Sequence, residues 1–371
     1  MSRKCLGITV VLCLLMVAVY VFAVGRPIML AKDTSLPFDM PEDFKDILYY
    51  ASLAPSGHNT QPWKVRYNRD AKSFTLFFDV SRGLPQVDSR NREALISLGA
   101  FLENLNQAAQ AYGYEASIAV LPEFGINMEI AHATLEKVRE TSADTEQRLE
   151  SLRIRHTDKR SYEPRPIPET AIRDILGNHH LYLHFYRKGS AEFAWLSANA
   201  VEAMRVQAHH EGKRAELADW MRFSDREAQQ MRDGLPAEQL NLKGPLKAFF
   251  YTFYNRESAA EESFALEAIK KTEGQVSSAT GFFVVTGASD FTSTIQAGRH
   301  FERFWLDATE MGISIHPLSQ ILEEGPFANT VSEALHLDAP VQMIVRAGMN
   351  ADYGQSNRIR RAISSFLWRD E

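Results

Sequence analysis

The chain has 371 residues, 45% of them hydrophobic, and a formal net charge of −6. A chain of this length can bury a sizeable core in one large domain or two, and an acidic composition without a long basic run gives no electrostatic hold on a polyanion, so nucleic-acid binding is set aside. Both cysteines, Cys5 and Cys13, fall in one apolar N-terminal run, which leaves the rest of the chain without thiol chemistry, a disulfide or a cysteine metal site.

That run, Cys5–Gly25, follows Arg3 and Lys4 and has the length of about 20 apolar residues that spans a bilayer as a helix. It is read as a single-pass transmembrane anchor, with the basic pair on the cytoplasmic side and the body extracytoplasmic, in the periplasm of a Gram-negative cell. The alternative is an export signal cleaved after the small residues near Ala23. A turn-rich linker then leads to a helix-like stretch at Asp43–Leu53. The segment Leu53–Val65, "LAPSGHNTQPWKV", crowds small and amide residues into one turn before a strand-like run. Ser73–Val80 reads as a strand from its aromatic content. Arg92–Glu115 reads as a long helix from the spacing of Leu95, Leu98, Leu102, Leu105 and Ala109, stopping at Gly113. "ASIAVL" after it suggests a strand, and a charged helix is expected from about Ile130 to Arg153.

The second half repeats the first in outline. "FKDIL", Phe44–Leu48, returns as "IRDIL", Ile172–Leu176, and Gly99–Gly113 is echoed by Gly298–Gly312, with Glu103 over Glu302 and Ala109 over Ala308. The second copy carries about 70 additional residues between its matching elements, as expected of an internal duplication with an insertion. The expected organisation is an anchor or signal with its linker (1–30), a first half (31–150), and a second half (151–371) with a lid-like insertion at about 194–278. Two such halves would pack about a pseudo-twofold axis, a pseudo-dimeric monomer.

Five segments carry a resemblance: "APSGHNTQPW" in the opening turn, "RIRHTDKRSYEPRPIP" at Arg153–Pro168, "MRDGLP" at Met231–Pro236, "AGRHFERFWLDATEMGISIHPLSQ" at Ala297–Gln320, and the terminal "SNRIRRAISSFL". In this order they resemble the nitroreductase family of flavoproteins, and more closely its tandem, single-chain, Acg-like branch, from about Asp43 to Leu367. The resemblance implies an α+β nitroreductase-like fold with one FMN between the halves. It implies an oxidoreductase passing hydride or electrons from a donor such as NAD(P)H to a nitro, quinone or similar acceptor. Pro55, Ser56 and Gly57 would form the slot for the flat ring, His58 would stand beside the ring edge, and Asn59 and Gln61 would supply amides for its polar edge. Arg155 or Arg160, with Thr157, would place a cation where charge collects on reduction, and Arg358, Arg360 and Arg361 would hold the phosphate.

The chain departs from the family pattern in instructive places. The first half has the turn but no arginine segment before it; the second has the arginine segment but reads "GNHHLYLHFYR" where a second turn would stand, which leaves one composite site. Asp158 occupies a position where an amide or hydroxyl would be usual, so which arginine faces the ring stays open. The insertion contains "ELADWMRFSDREAQQMRDGLP" and "LKAFFYTFYN", from which Trp220, Met221 and Arg222 are candidates for a lid. A lid closed over the flavin would give the alternative function, an FMN-binding or sequestering protein without turnover. No catalytic side chain is named, because the redox chemistry would belong to the cofactor.

Other constellations are weaker. His180 and His184 have no carboxylate partner at metal-site spacing, and no metal is expected. "GFFVVTGAS" lacks the glycine fingerprint of a dinucleotide fold, so NAD(P)H would bind transiently over the flavin. No Gly-x-Ser-x-Gly nucleophile elbow occurs.

Overall fold

The computed structural model describes residues 3–140 and 145–369, with side chains except at positions 3–13, 147 and 148. Helices α1 (Arg3–Val24) and α2 (Glu42–Ala51) precede strands β1 (Trp63–Asn68) and β2 (Ser73–Phe78), followed by α3 (Arg92–Ala111), β3 (Tyr114–Val120), β4 (Glu129–Lys137) and α4 (Thr145–Ile154). Next come α5 (Glu169–His179), β5 (Leu183–Arg187) and a helical stretch of α6 (Ala191–His209), α7 (Glu211–Trp220), α8 (Asp225–Met231), α9 (Pro245–Phe253), α10 (Arg256–Ala259) and α11 (Glu262–Ser278). The chain continues with β6 (Gly281–Thr286), α12 (Phe291–Glu310) and β7 (Ser314–Pro317). It closes with the single turns α13 (Gln320–Glu323), α14 (Gly325–Ala328) and α15 (Val331–Ala334), then β8 (Val341–Gly348) and β9 (Leu367–Arg369).

The strands form two sheets, ordered β3-β4-β2-β1-β9 and β5-β6-β8-β7, and helices cover their faces in an α+β arrangement. Within the two sheets, among the described residues, the strands pair antiparallel except that β9, from the C-terminal end, joins β1 in parallel, with Val65 opposite Leu367. Trp63, Val65 and Tyr67 alternate inward from β1 into the core of the first sheet. β6 and β8 are buried along their whole length, as strands in the middle of a covered sheet should be.

The long helices α3 and α12 join the two sheets through glycine. A Cβ at Gly99 would meet the Ile295 carbonyl at 2.0 Å, and one at Gly298 would meet the Ile96 carbonyl at 2.2 Å, so the backbones touch where only hydrogen fits. The contact is reciprocal: each glycine faces the residue three positions before the other. Glu103, fully buried on α3, is paired across the same seam with Arg299 at 3.2 Å and Arg303 at 2.8 Å.

Three expectations need correction. The helix expected from Ile130 to Arg153 is a strand, β4, and a separate helix, α4; Ala131, Ala133 and Leu135 are buried while His132, Thr134 and Glu136 face out, a period of two that the charged residues masked. The long helix ends at Ala111, because Gly113 takes a φ of +78° and turns the chain into β3. The membrane anchor is the third. α1 is helical, but among the described residues no helix is long and apolar enough to cross a membrane. The C-terminal end of α1 is fastened to α9. The hydroxyls of Tyr20 and Thr252 lie 2.9 Å apart, and the Gly244 N–H donates to the Gly25 carbonyl at 3.0 Å.

Candidate functional site

A cavity of about 580 Å³ opens where the two sheets meet. Its wall combines Pro55, Ser56, Gly57, His58 and Asn59 from the opening turn with Arg155, Thr157 and Arg160 from the arginine segment and Arg360 from the C-terminal segment. Its volume is that of a small-molecule site.

The crowding of small and amide residues in the opening turn has a backbone cause. His58, Asn59 and Gln61 all adopt positive φ, at 45°, 53° and 54°, a conformation that non-glycine residues hold only when their surroundings enforce it. The enforcement is visible. Ser56 accepts at Oγ from the Gln61 N–H at 3.0 Å, and the Gly57 carbonyl accepts from the Thr60 N–H at 2.9 Å. The Asn59 amide donates to the carbonyls of Gly234 at 3.1 Å and Ile359 at 3.3 Å, while its oxygen accepts from Arg360 at 3.0 Å. Gln61 donates to the Arg232 carbonyl at 2.9 Å and accepts from the Arg361 N–H at 2.9 Å. These two amides thus tie the turn to the 232–234 loop and the 359–361 segment. Of the two amides expected at the ring edge, Asn59 lines the cavity with its side chain bonded to protein, and Gln61 lies outside the cavity wall.

The arginines are redistributed in the same way. Arg155 forms a fully buried ion pair with Glu302 at 2.9 Å, lies over the Trp305 ring and donates to the Leu53 carbonyl at the entry to the turn. Burial pushes the Glu302 carboxyl up to about 7, with Arg155 acting against it. Arg160 is held by Asp158 at 2.8 Å and Asp352 at 3.0 Å. Although burial alone would raise it, the Asp158 carboxyl is held at about 2 by that guanidinium, the Arg160 N–H and Ser314. Arg360 lines the cavity while donating to the carbonyls of Ser52, Leu53 and Ala54 at 2.8, 3.0 and 3.2 Å. Arg361 is bonded to the carbonyls of Gln61 and Ser365, at 2.9 and 2.8 Å, and with Arg358 stays out of the cavity wall. Of the three arginines expected at the phosphate, Arg360 lines the cavity and Arg358 and Arg361 do not, and the guanidinia of Arg360 and Arg361 are bonded to protein.

Two lysines, Lys159 and Lys243, line the cavity, and among the described residues no carboxylate is seen to pair with either; Lys159 is the less exposed of the two. Burial, together with Lys271, pulls its ammonium down to about 8. His58, next to it in the wall, is pushed down to about 4 by burial and by Lys159, and its Nδ1 is buried without a hydrogen-bond partner. His316 completes this side; its Nδ1 accepts from Arg346 at 3.0 Å, and burial and that guanidinium hold it well below the ordinary histidine range. An orphaned ring nitrogen and an unpaired ammonium in one wall fit a polar, anionic ligand.

The insertion contributes the outer wall, though not through the lid candidates. Met221 and Arg222 are buried, with Arg222 paired to Asp233 at 2.6 Å, and Trp220 stacks near two arginines. Leu235, Glu238, Gln239, Asn241 and Lys243 line the cavity instead. Glu238 fixes that wall to the N-terminal segment by accepting from the Ile28 N–H at 3.0 Å and from Lys247 at 2.6 Å.

No family model matches the chain. Individual relatives do. A protein named "Probable NAD(P)H nitroreductase PigM" from Serratia is 23% identical over 82% of this chain and 87% of its own. A Mycobacterium tuberculosis protein bearing an NAD(P)H nitroreductase name, acg, is 22% identical over 85% of this chain and 91% of its own. The chain is a relative of the nitroreductases. Among solved structures the likeness of this nitroreductase relative is distant. A nitroreductase candidate from Anabaena variabilis covers 87% of this chain and 92% of its own at 12% identity with a TM-score of 0.40, and the FMN-dependent nitroreductase NfnB from Mycobacterium smegmatis covers 53% and 84% at 14% with a TM-score of 0.32.

Sequence reasoning passed over Lys159, Glu93, His316 and Ser319, which also line the cavity of this nitroreductase relative. Lys159 lay within the quoted arginine segment, and its lack of an acid partner is a property of the fold. Glu93 reads in sequence as an ordinary acid in the first turn of a helix, where the macrodipole favours it.

Proposed function

We propose that this chain is an FMN-dependent oxidoreductase of nitroreductase type, a single-chain pseudo-dimer that binds one FMN in the cavity between its halves. NAD(P)H would be the donor and a nitro, quinone or similar compound the acceptor. The observation that carries the reading is the composition of the wall: the strained turn 55–59 of one half faces the 155–160 segment of the other across one cavity. The reciprocal glycine contact of α3 and α12 supports the pseudo-twofold arrangement, and the names of the relatives support the reaction class.

FMN, when bound, would supply the two-electron redox chemistry. The chain's own residues have other tasks. Pro55, Ser56 and Gly57 would present small side chains and backbone to a flat ring, and the tethered geometry at Asn59 and Gln61 would keep that surface from relaxing. Lys159 would face the anionic part of the cofactor. Arg155 and Arg360 would act one step back, as buried cations that fix the carbonyls of residues 52–54 and so the start of the turn. The wall 235–243 would limit the entry of water.

The test is the visible spectrum of the purified protein after addition of FMN, followed by anaerobic NADH or NADPH. A yellow protein that bleaches supports the reductase. One that stays yellow supports the sequestering reading, and one that takes up no FMN refutes both.

A further inference from the structure

A residue that lines the cavity and is also exposed stands at its opening. Among the described residues four do so: Pro27, Lys243, Asp352 and Gln355. Two of these are charged, and only one charge is balanced. Asp352 accepts from Arg160 at 3.0 Å, whereas no carboxylate pairs with Lys243 among the described residues. Glu238, the acid nearest to Lys243 in sequence, is already bonded to Lys247 at 2.6 Å and to the Ile28 N–H. The side chain of Lys243 is unpaired, but its backbone is held on both sides. The Leu242 N–H donates to the Ala237 carbonyl at 2.8 Å, the Asn241 N–H to the Glu238 carbonyl at 3.1 Å, and the Gly244 N–H to the Gly25 carbonyl at 3.0 Å. Lys271 donates to the Leu240 carbonyl at 2.7 Å. Asn241 and Gly244 keep positive φ, at 59° and 55°, within this frame. The insertion thus carries one ammonium to a fixed place at the opening.

We infer that Lys243 binds a phosphate of the nicotinamide dinucleotide that reduces the flavin. The inference rests on the flavin reading above and adds the place where the donor is recognised. A cavity of about 580 Å³ has the size of a site for one small molecule. With a flavin against the turn at 55–59, the nicotinamide must reach inward to the ring, and the phosphates and adenosine extend through the opening. The two lysines then divide the work by depth. Lys159, less exposed and in one wall with His58 and His316, faces a ligand that stays. Lys243, in contact with water, faces one that leaves at every turnover, and its charge loses little hydration in the exchange. Gln239 and Asn241 from the same loop, with Ser356 and Asn357 from the C-terminal segment, also line the cavity and add amide and hydroxyl groups for a phosphate or ribose. A rigid loop with a single unpaired cation selects an anion at low ordering cost.

The experiment uses the full chain loaded with FMN and the variants Lys243→Ala and Lys243→Arg. Lys188→Ala is the control, an exposed lysine outside the cavity wall. The probes are NADP⁺ and NAD⁺, which bind without reducing the flavin, and calorimetry reads their affinity. Lys243→Ala should weaken binding about 10-fold, the low end for a hydrogen bond to a charged group. Lys243→Arg should keep most of the affinity, and Lys188→Ala all of it. A loss confined to NADP⁺ assigns the contact to the 2′-phosphate, and an equal loss for both assigns it to the diphosphate. In the wild type, NADP⁺ should also slow hydrogen exchange at residues 237–244. Mixed with NADPH without oxygen, Lys243→Ala should bleach at the wild-type limiting rate but need about 10-fold more donor, since the contact is the same in ground and transition states. A Lys243→Ala protein that binds both dinucleotides as the wild type does, or that loses affinity for FMN instead, overturns the inference. So does a wild type that binds neither dinucleotide. A protein that takes up no FMN fails at the earlier step, in the visible spectrum, and removes the inference with the reading it depends on.

Discussion

Replacing Lys159 by Met should move stability and ligand binding in opposite directions. In the folded chain the ammonium titrates at about 8 instead of 10.5 because burial and Lys271 disfavour its charge. A shift of that size is on the order of 3 kcal/mol, reduced to about 1–2 kcal/mol for a side chain still partly in water. Removing it should therefore stabilise the empty protein by about 1–2 kcal/mol, measured by urea unfolding at pH 7. The folded chain releases this proton before the unfolded chain does. Between pH 8 and 10.5 the unfolded state holds more protons, so wild-type stability should rise with pH in that window, and the variant should lack the rise. Binding should respond the other way. A charge-assisted hydrogen bond contributes about 1.5–3 kcal/mol, so FMN affinity, followed by flavin fluorescence, should fall about 10- to 150-fold. Wild-type affinity should also decline as the pH passes the range where free Lys159 loses its charge. A variant that binds FMN as the wild type does, or that is less stable when empty, would refute the assignment of Lys159 as a ligand-facing cation of the cavity.

Three further outcomes follow from the same geometry. Arg155→Met leaves Glu302 buried without its 2.9 Å partner and should cost about 3–5 kcal/mol near pH 8. Because Glu302 already titrates at about 7, above the ordinary 4.5, the folded state keeps a proton that the unfolded state has released. The cost should therefore shrink as the pH falls toward 5, and Glu302→Gln in the same chain should recover part of it. Gly298→Ala places a methyl 2.2 Å from the Ile96 carbonyl and should destabilise by about 1–3 kcal/mol or more, lowering the thermal midpoint by several degrees; an unchanged midpoint would show that α3 and α12 can separate freely. Removal of residues 1–31 deletes the Ile28 and Arg26 contacts to Glu238 and Lys247, and hydrogen exchange should then accelerate across residues 235–247 while β6 and β8 stay protected.

The sequence alone determined the elements whose signals are local. The spacing of leucines on α3, the aromatic run of β2 and the glycine-flanked match between α3 and α12 were legible because periodicity and glycine spacing follow from backbone geometry within one segment. The turn at 55–59 and the arginine segment at 155–160 were legible as residue types suited to a cofactor site. The tertiary structure decided what those residues do. Asn59, Gln61, Arg360 and Arg361 carry the polar atoms a ligand would want, yet each spends them on carbonyls and amides far away in the chain. Lys159 and Lys243 look ordinary in sequence and differ from the chain's paired lysines in the carboxylates that the fold withholds from them. Pairing is a property of three-dimensional neighbours: whether a cation is free for a ligand depends on which carboxylates and carbonyls the fold brings within about 3 Å, and those neighbours can lie hundreds of residues away.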